Sequence, residues 1–174
     1  MNIKLWIYNR RKERLPKRQV IYRNWSDIRT IALLYTSDLT ERNPDIRRMA
    51  EYMQENNKHV TLIGYADKKE ITSPILPQSR IAGQKDFSWL GYPNEMLTSD
   101  LQKQSFDLLI DLTQHQSLQE RYMALYLRSD LKVGRRTDAG ELDFMIEMPS
   151  EETREQLMEE IVKYLTLIRS NETN

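Results

Sequence analysis

Asp38, Asp111 and His115 are the residues of this chain whose types and positions could move a proton. Asp38 follows an apolar run that ends at Thr36-Ser37. Asp111 and His115 end a second run, FDLLIDLTQH. A histidine beside carboxylates can shuttle a proton near neutral pH. If both runs are strands of one parallel sheet, their carboxyl ends lie on the same edge, and open α/β sheets bind ligands at that edge. Thr36, Ser37 and Thr113 would then offer hydroxyls to a ligand. The same residues also have a plainer use, since Ser, Thr and Asp favour turns and an Asp ending a strand often caps the next loop.

Two other groups could recognise a ligand. Arg135 and Arg136 follow Gly134 at a strand end, where a pair of guanidinium forks can grip phosphate or carboxylate. Their plainer use is surface charge paired with Asp138 or Glu141. Trp89 and Tyr92, within SWLGYP, could stack on a base or sugar ring, or cover a core edge. The common motifs are missing. There is no GxGxxG, GxxxxGK[ST], GxSxG or HExxH, and the chain has five glycines. It has no cysteine and two histidines, His59 and His115. Disulfides, thiolate metal sites and a histidine-rich zinc site are thereby disfavoured, and neither a metal nor a cofactor is expected.

The elements that would position these residues can be read from periodicity. Residues 28–36 (IRTIALLYT) form a short apolar run of the kind that becomes a buried parallel strand. Asn43-Pro44 then opens a helix whose stripe is Ile46, Met49, Ala50 and Met53. Residues 59–65 (HVTLIGY) are the next strand. Residues 66–96, broken by prolines and glycines, read as loop, with a short strand at 75–76 or near Ile81 and a short helix over 97–105. Residues 106–113 are the clearest strand. A capping box at Ser117–Glu120 starts the helix after it. Strands over 131–134 and 142–148 follow, and PSEE at 149–152 opens a last helix striped by Leu157, Ile161 and Leu165.

The expected fold is therefore α/β, a three-layer sandwich around a mostly parallel, Rossmann-like sheet of five or six strands. The expected organisation is a basic arm over 1–24, one α/β domain over 25–170 and a frayed tail over 171–174. Residues 1–29 carry nine Lys or Arg against two acids, a net of +7 in a neutral chain, so the rest carries −7. Such an arm can bind nucleic acid or an anionic surface, or lie on the chain's own acidic face. No apolar run approaches the roughly 20 residues that cross a bilayer. The N-terminus lacks the pattern of a secretory signal, so a cytoplasmic location is expected.

With the basic arm, SWLGYP, FDLLIDLT, LKVGRR and the C-terminal FMIE-helix segment following one another in that order, the chain resembles a bacterial family of short Rossmann-like α/β proteins classed as a domain of unknown function. That resemblance implies the fold over most of the chain and no activity. The DLLIDL strand, with a helix and then a strand ending in Lys132-Val133-Gly134, is also similar to the N-terminal half of heptosyltransferase-like glycosyltransferases. The Gly-Asp turn of those enzymes is matched here only by Ser37-Asp38, and 174 residues are not expected to hold their second, donor-binding domain as well.

Three functions are compatible with the sequence. The missing motifs and segregated charge favour a non-catalytic cytoplasmic domain that binds a small molecule or a protein. The second is an enzyme or enzyme remnant taking a phosphorylated or sugar-like molecule at the strand ends, through Asp38, Asp111, His115 and Arg135. The third is RNA or anionic-surface binding through residues 1–24.

Overall fold

The computed structural model describes residues 2–39, 43–71, 79–113, 117–138 and 140–169. Six strands build one sheet: β1 (Thr30–Thr36), β2 (His59–Tyr65), β3 (Ser79–Ala82), β4 (Ser105–Asp111), β5 (Arg128–Arg135) and β6 (Phe144–Ile146). Their order is β3-β2-β1-β4-β5-β6, and every pairing is parallel. This is the doubly wound order, in which the chain reverses direction across the sheet between β1 and β4.

Side-chain alternation divides β1 between two cores. Ile31, Leu33 and Tyr35 face α2 (Pro44–Glu55) and α5 (Arg154–Leu167). Ala32 and Leu34 face α3 (Glu95–Gln102), α4 (Leu118–Tyr126) and Tyr8 of α1 (Ile3–Arg14). Helices thus cover both faces, and the expected three-layer α/β sandwich is present.

Several boundaries differ from the sequence expectation. β5 starts at Arg128, ahead of its apolar core, because Arg128 and Ser129 pair with Ser105 and Phe106 of β4. α5 starts at Arg154 rather than in PSEE, because Thr153 and Gln156 form a reciprocal capping box there. β6 is three residues long, shorter than the apolar stretch 142–148. Of the two strands suggested in 66–96, the one near Ile81 is β3. Residues 75–76 and the tail 171–174 lie outside the described residues.

The arm begins as a helix. Asn2 caps α1 with its side chain, and Tyr8 is the residue that α1 buries, edge-on to Tyr122 of α4 at 4.9 Å. After Pro16 the chain is neither helix nor strand, and the Ile21 N–H donates to the Asp130 carbonyl of β5 at 3.1 Å. Arg18 pairs with Asp143 and donates to the Ser129 carbonyl at 2.9 Å, and Arg23 pairs with Asp130 at 2.9 Å. Lys12 donates to the Gly140 carbonyl at 2.8 Å. Three of the arm's eight cations, Lys12, Arg18 and Arg23, are therefore met by the chain's own acceptors. Among the described residues no helix is long and apolar enough to cross a membrane.

Candidate functional site

At the switch point the carboxyl ends of β1 and β4 lie side by side, with Leu34 opposite Asp111. Thr36 ends β1, Tyr65 ends β2, and the N-terminus of α4 rises in front of both. Between them lies a cleft of about 320 Å³, lined by Thr36, Tyr65, Asp67, Ser117, Gln119 and Glu120.

Glu120 organises the cleft. It is 2% exposed, and both carboxylate oxygens have donors. The Ser117 backbone N–H donates to Oε2 at 2.8 Å, and the Thr36 hydroxyl donates to Oε1. The capping box read in the sequence is present, and it also ties α4 to the end of β1. On the opposite wall, Asp67 accepts from the Tyr65 hydroxyl at 3.3 Å and from Gln84 Nε2 at 2.7 Å. Burial and the neighbouring Asp67 push the Tyr65 hydroxyl up to about 12, so it stays protonated as a donor. Phe87 packs edge-on against the Tyr65 ring. The described lining has two carboxylates, three hydroxyls and an amide, and no Lys or Arg.

Asp111 lies behind this cleft. Its Oδ1 accepts from the Thr113 N–H at 2.9 Å and hydroxyl at 2.6 Å, which is the loop-capping use. Burial is the main cause that raises its carboxyl to about 6. The Thr113 hydrogen bonds pull against that shift, and the carboxylates of Glu120 and Glu141 add to it. Glu141 is itself buried, accepting from the Tyr8 hydroxyl and pairing with Arg121 at 3.1 Å.

In a dinucleotide-binding sheet the pyrophosphate meets the helix that follows β1. Here that region is occupied by side chains. Asn43 stands at the head of α2 in the left-handed region (φ 44°) and turns back instead of capping α2. Its Oδ1 accepts from the Asp38 N–H at 2.9 Å, and its amide donates to the Thr36 carbonyl at 3.3 Å. Arg154 donates to the same carbonyl at 3.2 Å and grips Asp45 with two hydrogen bonds, at 2.7 and 3.0 Å.

Of the residues singled out from sequence, Thr36 lines the cleft, with Ser37, Asp111 and Thr113 beside it on the same sheet edge. Asp38 is exposed on the connection beyond. His115 lies outside the described residues. Arg135 is turned away, donating to the carbonyls of Pro149 and Glu152 at 2.7 and 2.9 Å. Arg136 pairs with Glu147, not with Asp138 or Glu141. Trp89 is 81% exposed, and Tyr92 sits under the Arg11 guanidinium at 4.0 Å. Neither aromatic lines the cleft. Tyr65, Asp67, Gln119 and the second use of Glu120 were not anticipated. Tyr65 ends β2 and Asp67 lies two residues beyond it, the same strand-end position that singles out Thr36.

A parallel sheet that reverses at β1 and β4, with a cleft at that reversal, is a doubly wound Rossmann-like domain. The chain belongs to the family described as "Family of unknown function (DUF6913)", which matches residues 4–168. No curated protein matches the chain, and no solved structure does.

Proposed function

We propose that the chain is a non-catalytic binding domain that takes a small, uncharged, donor-rich molecule of sugar or polyol type at the switch-point cleft. The observation that carries this reading is the lining. Glu120 and Asp67 present carboxylates beside the hydroxyls of Thr36, Tyr65 and Ser117, with no cation among the described walls. Carboxylates accept from ligand hydroxyls and repel phosphate. A phosphorylated ligand is therefore the poorer fit, and a sugar-like one the better. The volume suits a ligand of about one ring, at the lower end of typical pockets.

The chemistry favours binding over catalysis. Asp111 is committed to Thr113 and does not line the cleft, and Glu120 already holds two donors. Arg18, Arg23 and Lys12 of the arm are engaged within the chain, so that part of the arm's charge serves the domain rather than a free polyanion. The cysteine-free composition suits a reducing cytoplasm.

The test is thermal unfolding with neutral monosaccharides and polyols, each paired with its phosphate ester. A ligand at about a hundred times its dissociation constant adds roughly 2.7 kcal/mol, a shift of several degrees. A shift with a neutral member, smaller with its ester and lost in Asp67→Asn, is expected. A shift that the ester produces best, or that survives Asp67→Asn, overturns the reading.

A further inference from the structure

A second cleft lies at the opposite end of the sheet, beneath the arm. It encloses about 590 Å³ between residues 15–21 of the arm, the C-terminus of α4 and the start of β5. Four cationic residues line it: Lys17 and Arg18 from the arm, and Arg128 and Lys132 from β5. Asp130 is the acidic residue in its lining, and Arg23 takes that carboxylate at 2.9 Å. Pro16, Tyr126 and Leu127 supply apolar wall. Arg18 is held by Asp143, so we infer that this cleft binds a small organic anion, with a phosphate or carboxylate head against Lys17, Arg128 and Lys132 and a ring-sized apolar body against Tyr126 and Leu127.

Lys132 is the most telling of the four. It is 3% exposed, yet its ammonium has carbonyl partners rather than a carboxylate: Ala124 at 2.5 Å and Leu125 at 3.1 Å. The carboxylates that act on it do so without a direct contact, so an anion in the cleft adds the charged partner that its ammonium lacks. Burial, helped by the nearby Arg18, lowers Lys132 to about 7, against the opposing pull of Asp143, Glu141 and Asp111. A bound anion favours the charged form, so binding takes up a proton above neutrality and weakens as pH rises. Lys17 and Arg128 are exposed at the mouth, and their side chains are placed to receive the head group. This assigns the basic arm a role other than polyanion capture, because Lys17 and Arg18 form one wall of the cleft.

Calorimetric titration of the full chain with phenyl phosphate, and separately with inorganic phosphate, tests this. Saturable binding of phenyl phosphate, tighter than inorganic phosphate and weaker at pH 9 than at pH 6, is expected. The Lys17→Gln/Arg128→Gln double variant removes exposed charges, so its melting temperature should match the parent while affinity falls at least tenfold, about 1.4 kcal/mol. No saturation at millimolar phenyl phosphate overturns the inference. So does affinity unchanged in the double variant, since binding would then lie elsewhere. Lys132→Met, if folded, should also lose binding together with its pH dependence.

Discussion

The Thr36 hydroxyl donates to the Glu120 carboxylate across 84 residues of sequence, joining the end of β1 to the first turn of α4. Glu120 is buried at that point, so its oxygens rely on the donors that reach them in place of water.

Thr36→Val keeps the shape of the side chain and removes one of those donors. A buried carboxylate short of a partner costs about 1–3 kcal/mol. Urea unfolding should show a lower midpoint with an unchanged slope. An unaltered midpoint would mean that water replaces the hydroxyl and that the cleft is wetter than its geometry suggests.

Asp111→Asn tests the buried carboxyl. The folded-state value of about 6 lies above the 3.8 of a free aspartate, so the folded chain holds the proton more tightly than the unfolded one. That contribution is complete below about pH 4 and is lost as pH rises through 6. The Asn side chain still accepts from Thr113 and carries no charge to desolvate. Relative to the parent, the variant should gain roughly 3 kcal/mol between pH 4 and pH 8. Melting curves across that range check it, and a difference that does not vary with pH would refute it.

Lys132→Met has the opposite sign. A lysine lowered from 10.5 to about 7 makes the parent's stability rise with pH between those values. The linked free energy is on the order of 5 kcal/mol at most. The variant should lack that rise, and denaturation at pH 7 and pH 10 in parallel would reveal it.

Tyr8→Ala should free α1. Tyr8 packs on Tyr122, bonds Glu141 and carries the Arg121 guanidinium over its ring at 4.5 Å. Truncating a buried aromatic costs about 3–5 kcal/mol, here borne mainly by the docking of the arm. Trypsin should then cut within 10–18 sooner than in the parent, while the sheet resists. Equal cleavage rates would show that α1 is held by other contacts.

Much of this architecture was readable in the sequence. β1, β2 and β4 are compact apolar runs, and α2 has a complete stripe, so local pattern sufficed. The site was only half readable. Thr36, Asp111 and Thr113 follow from strand ends, but Glu120 reads locally as a cap because its second partner is far away in sequence. Lys132 looks like an outward polar residue of a strand, and its burial comes from α4 lying across it. Arg135 looks free to bind a ligand until the approach to α5 supplies two carbonyls. In each case the decisive contact is non-local, and short-range periodicity carries no trace of it.

The pairing of β1 with β4 has a kinetic consequence. Ile31 meets Leu108 across 77 residues, so the central seam of the sheet closes a long loop of chain. Long-range parallel pairing of this kind is slow compared with the neighbouring β1–β2 and β4–β5 units. The two halves of the sheet can form before they meet, but the switch-point cleft has walls on both sides of the seam. A ligand that lodges there therefore recognises the fully assembled chain and withdraws it from the population of half-built ones.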